Sequence, residues 1–195
     1  MAKKIINDPD NSVEEMIEGM VMAEKSRIEK LEDYNVVVRR DAPVDKVALV
    51  SGGGSGHEPF AGGFVGKGML DMAVCGNIFS SPSINQVYHA ITEANSKKGV
   101  LLIILNYSGD ILCFNSAADR AVEDNQIEVE RVVINDDVAI SEPEDRRGIA
   151  GAVLVDKIAG AMAEKGAGLA EVREVAERTA GNVKSIGISL SSCFV

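Results

Sequence analysis

Apolar positions along the chain follow two rhythms that take turns. Met16, Ile17, Met20 and Val21 recur at the spacing of a helix face, whereas Val100–Leu105, VLLIIL, is an unbroken block of the kind a strand needs when both its faces are buried. The first rhythm predicts a covering helix over Val13–Lys30, with Ser12 as its cap and Glu15 closing a capping box. Short strands follow over Asn35–Arg39 and Lys46–Val50, and a buried strand over Met69–Cys75. Ser83 caps a helix over Ile84–Asn95, the core strand Val100–Leu105 comes next, and a helix runs from about Cys113 to Asp124. A strand over Val129–Ile134, helices over about Ile149–Lys165 and Leu169–Arg178, and a last strand over Val183–Leu190 complete the pattern.

The repeated order, strand then helix, predicts an α/β fold: a three-layer domain with a mainly parallel sheet covered by helices on both faces, because each crossover must carry the chain back across the sheet. Residues 1–182 form this domain. Residues 183–195 are expected to be the entry strand of a second domain cut short, since SIGISLSSCFV ends on apolar Phe194 and Val195. In such sheets ligands gather beyond the carboxyl ends of the strands. Three polar loops fall there: SGGGSGHEP (Ser51–Pro59), GNIFSSPS (Gly76–Ser83) and NYSGD (Asn106–Asp110).

Composition narrows the function. The 195 residues are 46% hydrophobic, enough for a packed core, but only 4% aromatic, so that core is aliphatic. A formal net charge of −10 argues against nucleic acid and acidic membrane surfaces, which are held by Lys and Arg. With no signal-like or membrane-length apolar run, the expected location is the cytoplasm. Cys75, Cys113 and Cys193 are far apart and match neither a zinc spacing nor a disulfide framework, so they read as free thiols, and no metal site is expected.

The glycine-rich segment carries the candidate chemistry. Gly52, Gly53, Gly54 and Gly56 would let the main chain turn sharply and approach a ligand closely. The segment is neither GxGxxG nor GxxxxGK[ST], and no lysine follows, so it is a poor match to a dinucleotide or triphosphate loop. A turn needed only for chain reversal is the plain alternative. His57, at its end, is the candidate for proton transfer, while His89 reads as a helix-surface residue. Asp110, after the most buried strand, would form an acid–base pair with His57 if their strands are close; its competing role is to cap the following helix. Asp136 and Asp137 read as a solvated loop in preference to a cation site. Arg146 and Arg147 either contact an anionic partner or pair with Glu142, Glu144 or Asp145.

The segments SGGGSGHEPFAGGFVGKGMLDMAVCGNIFSSPS, GVLLIILNYSGDILCF, INDDVAI and RRGIAGAVLVDKIAGAMAEKG together resemble the dihydroxyacetone kinase substrate-binding subunit, over essentially the whole chain and in the same order. The resemblance implies a two-domain subunit, of which this chain is the first domain. It implies that Gly54, Ser55, Gly56 and His57 line a dihydroxyacetone site, that Asp110 is the base on the substrate hydroxyl, and that His57 assists. It also implies that this chain holds no cofactor: a separate helical subunit or domain brings ATP or ADP with magnesium, and in phosphotransferase-linked systems the phosphate comes ultimately from phosphoenolpyruvate. Homodimers are the family's form.

Two departures stand out. The family places a lysine just before the NYTGD-like turn, where this chain has Leu105; Ser108 and Cys113 are milder changes. The family also captures its ketone covalently through a histidine of the second domain, and the sequence ends at Val195 before that point. The leading expectation is a kinase subunit that positions a hydroxyl for phosphorylation, with these 195 residues inactive alone. The alternative, motivated by Leu105, is a non-catalytic dihydroxyacetone sensor that acts as co-activator of a transcription regulator.

Overall fold

The computed structural model describes residues 5–94 and 97–191. Asn95, Cys193, Phe194 and Val195, all invoked from the sequence, lie outside the described residues. The elements are α1 (Ser12–Ala23), β1 (Ile28–Lys30), β2 (Val36–Arg39), β3 (Ala48–Ser55), β4 (Met72–Ile78), α2 (Ile84–Ala94), β5 (Val100–Leu105), α3 (Ser108–Asn125), β6 (Val129–Ile134), α4 (Ala152–Glu164) and α5 (Leu169–Asn182). One six-stranded sheet runs in the order β1-β2-β4-β3-β5-β6. β4, β3, β5 and β6 are mutually parallel, and β1 and β2 add an antiparallel edge.

The alternation of side chains along the strands divides the core in two. Leu49, Ala73, Leu101, Ile103 and Leu105 face α1, α4 and α5, burying Ile17, Val155, Ala159 and Val172. Ala48, Val50, Val74, Leu102 and Ile104 face α2 and α3, burying Val87, Ile91 and Phe114. All six residues of β5 are buried, which is why its sequence carries no polar alternation. Each fully buried aliphatic side chain contributes about 1.5–3 kcal/mol, so this central strand is the most strongly specified element of the fold.

Four local expectations are corrected. The helix predicted to Lys30 stops at Ala23, and Ile28–Lys30 forms an edge strand that pairs with Val37–Arg39. Ile28 is thus buried as a strand residue, in the core cluster that includes Val13 and Ile17 of α1. Ser12 does not cap: Asn11 holds that position, and the Ser12 hydroxyl donates instead to the Pro9 carbonyl at 2.8 Å. Third, α3 starts at Ser108 and takes in Asp110, five residues before the predicted Cys113. Finally, Val183–Leu190 forms no strand. A strand needs a row of hydrogen-bonding partners, and this segment meets the sheet layer only at an isolated bridge, Asp137 to Ser185, with Ile186, Ile188 and Leu190 exposed. The predicted cap of α2 stands: the Ser83 Oγ accepts from the Gln86 amide at 3.2 Å, and the Gln86 side chain accepts from the Ser83 amide at 3.0 Å. Among the described residues no helix is long and apolar enough to cross a membrane.

Candidate functional site

Beyond the carboxyl ends of β3, β4 and β5 the chain leaves a cavity of about 710 Å³. The glycine-rich segment reaches it as a strand and not, as the sequence suggested, as a turn beginning at Ser51. Gly52, Gly53 and Gly54 all lie in β3 and pair with Val74, Cys75 and Gly76 of β4. The turn starts only at Gly56, whose φ of +104° a side-chained residue rarely adopts. It is clipped by Glu58, whose two carboxylate oxygens accept from the Gly56 amide at 3.1 and 3.0 Å.

The turn delivers His57 to the cavity wall. Its imidazole is exposed, its Nδ1 lies 3.0 Å from the Gly54 carbonyl, and its ring meets Phe79 edge-on at 4.9 Å. Gly54 therefore serves the site by orienting the histidine as well as by lining the cavity. Ser55 and Gly56 do not line it. The Ser55 hydroxyl is buried and donates to the Gly76 carbonyl at 2.7 Å, tying β3 to β4, so its side chain serves the sheet.

Asp110 arrives from the other side, in the first turn of α3, where the helix N-terminus favours a negative charge. It is not the cap of that helix, which is Tyr107, and its side chain is left for the cavity. Gly53 lies beside it: a Cβ there would stand at ordinary contact distance, 3.6 Å from the Asp110 Oδ2 and 3.5 Å from Phe60. Asp110 is only 5% exposed, and its Oδ1 has no hydrogen-bond partner. Burial raises its pKa above the ordinary carboxylate value, against the opposing pull of a hydrogen bond from Ser81 and the nearby His57 ring. The sequence-predicted pair is thus brought to one cavity. Sequence reasoning did not single out Ser81 and Tyr107; both lie in the polar loops that it placed at this edge.

The rest of the wall is apolar: Phe60 and Phe64 from the segment after the turn, Leu105 at the end of β5, and Ile149 and Val153 at the start of α4. None of the residues lining the cavity is a lysine or arginine. Arg146 and Arg147 are spent on their own loop. Arg146 donates to the Ile140 and Ser141 carbonyls, and Arg147 pairs with Asp137 at 2.6 Å. Asp136 and Asp137 correct the solvated-loop expectation, since both are fully buried. Asp136 accepts from the Ile149 and Gly151 amides at 2.8 and 2.7 Å and so holds the entry to α4, while the Arg147 guanidinium keeps Asp137 below the usual carboxylate range. His89 also departs from expectation: it is half-buried and stacked on Tyr34 at 4.4 Å. Cys75, in the core, has its thiol pushed up to about 12 by burial and is inert as a nucleophile.

A doubly covered, mainly parallel sheet with a cavity at its carboxyl edge, lined by a buried carboxylate with one oxygen unpartnered and by an exposed imidazole, is an arrangement that could move a proton on a small ligand. The chain belongs to the Dak1 domain family, whose match runs over residues 18–195. It is 47% identical over 196 residues to the dihydroxyacetone-binding subunit of the PTS-dependent dihydroxyacetone kinase 1 of Listeria innocua, covering 99% of this chain and 59% of that protein. In three dimensions it is similar to the crystal structure of the dihydroxyacetone kinase of C. freundii, with a TM-score of 0.89 and 42% identity over 93% of this chain and 34% of that one. A dihydroxyacetone kinase operon co-activator shares the fold at a TM-score of 0.79 and 36% identity, over 84% of this chain and 50% of that one. The chain thus spans little more than half the length of the curated binding subunit it matches.

Proposed function

We propose that this chain is the dihydroxyacetone-binding part of a dihydroxyacetone (glycerone) kinase, and that it positions a substrate hydroxyl for phosphorylation. The observation that carries the reading is the Asp110 carboxylate, buried at the cavity wall with Oδ1 unpartnered and His57 close by. A hydroxyl in the cavity would donate to the Asp110 carboxylate. As its oxygen attacks the phosphorus of the donor, the O–P bond forms, the bond from phosphorus to the leaving oxygen breaks, and the proton passes to Asp110. Burial makes Asp110 a stronger base than an exposed carboxylate, and His57 offers the proton a way on toward solvent.

The lining supplies no lysine or arginine to neutralise a chain of phosphates. This supports a donor, ATP or ADP with magnesium, brought by a helical partner subunit, in a system fed ultimately by phosphoenolpyruvate where the partner is phosphotransferase-linked. The working unit in this reading is a cytoplasmic homodimer acting in glycerol metabolism. The test is Asp110→Asn in the complete protein with the nucleotide-bearing partner present. Phosphoryl transfer should fall by at least about 10³-fold, and unchanged turnover would overturn the reading. In the unsubstituted protein the acid limb of the kcat profile should lie above the ordinary carboxylate range, because Asp110 must be ionised to accept the proton.

Leu105 favours a second reading, a non-catalytic dihydroxyacetone sensor that acts as co-activator of a transcription regulator, because it sets an apolar group on the cavity wall. Recovery of a regulator instead of a helical kinase subunit in a pull-down would select it.

A further inference from the structure

The polar and apolar parts of the cavity are unequal, and the inequality bears on ligand size. The polar groups gather around Asp110: Ser81 hydrogen-bonds it, and both the His57 ring and Tyr107 interact with it electrostatically. Phe60 and Phe64, with ring centroids 6.3 Å apart, supply an apolar part of the wall and pack against the buried core cluster that also contains Leu105 and Ala152. This side of the wall is continuous with the hydrophobic core and offers no hydrogen-bonding side chain among Phe60, Phe64, Leu105, Ile149 and Val153.

Charge excludes one kind of occupant. The first turn of α3 already contains Asp110, and the amides at the entry to α4 are already held by Asp136. The Arg147 guanidinium, close enough to act on Tyr107, is paired with Asp137. An anionic ligand would therefore meet the Asp110 carboxylate, which no cationic side chain in the lining neutralises. A volume of about 710 Å³ lies within the range of about 300–1,000 Å³ that encloses ligands much larger than a triose.

We propose that the site selects neutral α-hydroxy ketones with an aliphatic tail, with the hydroxymethyl ketone head at Asp110, Ser81 and His57 and the tail against Leu105, Phe64 and Val153. This rests on the reading of the site as one for a small hydroxy ketone, and extends it to carbon chains longer than three. Leu105 and Val153 are then specificity-determining residues: each added methylene leaves water for the apolar wall, while the head keeps its hydrogen bonds.

The test is a calorimetric binding series on the complete protein with dihydroxyacetone, 1-hydroxypropan-2-one, 1-hydroxybutan-2-one and 1-hydroxypentan-2-one. The Kd should tighten by about threefold to fourfold per added methylene across the three monohydroxy ketones. Leu105→Lys should flatten the series by setting a cation against the tail. Because Leu105 is nearly buried, Val153→Thr, which keeps the side chain's shape and adds a hydroxyl, provides the second arm and should also reduce the slope. A Kd that stays flat or weakens with chain length while dihydroxyacetone binds overturns the size preference and leaves the hydroxy-ketone reading standing. No binding by any of the four compounds removes that reading, and the inference with it. A slope that survives both substitutions overturns the assignment of the tail to this wall.

Discussion

The two ends of the parallel strands treat a buried carboxylate in opposite ways. At the amino end, Asp71, just before β4, accepts from Arg39 at 3.3 Å, from the Leu49 amide at 2.9 Å and from Lys46. Arg39 in turn reaches Glu164 at 2.8 and 3.1 Å and Asp41 at 2.8 Å. At the carboxyl end, Asp110 is buried to a similar degree, yet its Oδ1 has no partner. Asp71 has both oxygens engaged by the protein and joins β2, β3, β4 and α4. Asp110 keeps one buried acceptor without a partner on a residue that lines the cavity. A bare buried oxygen beside a cavity points to a ligand, and a saturated one points to architecture. Asp156 sharpens the rule as a third case: it is fully buried in α4, and neither oxygen has a partner.

The largest break in this contrast should come from the saturated end. Asp71→Ala leaves Arg39 and Lys46 buried without their shared carboxylate, and should cost about 3–5 kcal/mol in urea denaturation. A loss under about 1 kcal/mol would mean that this network does not hold the amino edge.

The next effect has the opposite sign. Burial alone pushes the Asp156 carboxyl up to about 8. Below about pH 4 the carboxyl is protonated in both the folded and the unfolded chain and carries no ionisation penalty. As the pH rises toward 8 the unfolded chain loses this proton while the folded chain keeps it, so the stability of the native protein should fall across that window. Asp156→Asn removes the group that titrates. The variant should be more stable than the parent by about 4 kcal/mol at pH 7, with the advantage shrinking toward zero near pH 4. Paired melts at the two pH values measure it, and an advantage independent of pH would show that ionisation is not the cause.

How much of this was legible in the sequence depended on how local the cause was. VLLIIL gave β5 to the residue, and the Ser83–Gln86 cap closes within four residues. His57 and Asp110 could be placed at one edge because each follows a parallel strand. β1 was missed because three residues carry too little periodicity, and Ile28 is buried by partners eleven and more residues away, in α1 and across the hairpin to β2. The Arg39–Asp71 and Arg39–Glu164 pairs span 32 and 125 positions, which no local pattern encodes. Asp156 did leave a signal: it sits four residues after Ala152 and three before Ala159, on the face of α4 that the surrounding alanines mark as buried.

The smallest effect on stability is the most discriminating, because it uses one substitution at both ends of the sheet. Asn has nearly the volume of Asp and differs chiefly in lacking the charge and one acceptor. At Asp71 those are the features that two buried cations and an amide use, so Asp71→Asn should destabilise. At Asp110 the protein makes little use of the charge. Burial lifts the pKa, Ser81 and His57 only partly oppose this, and keeping the ionised form at neutral pH therefore costs stability instead of adding it. Asp110→Asn should leave the unfolding free energy within about 1 kcal/mol of the parent, on the stabilising side once the pH has risen above the ordinary carboxylate range. Set beside the loss of phosphoryl transfer expected of the same variant, an unchanged melt assigns Asp110 to the ligand. A destabilisation equal to that of Asp71→Asn would make the two carboxylates alike, and the bare oxygen would then not mark a site.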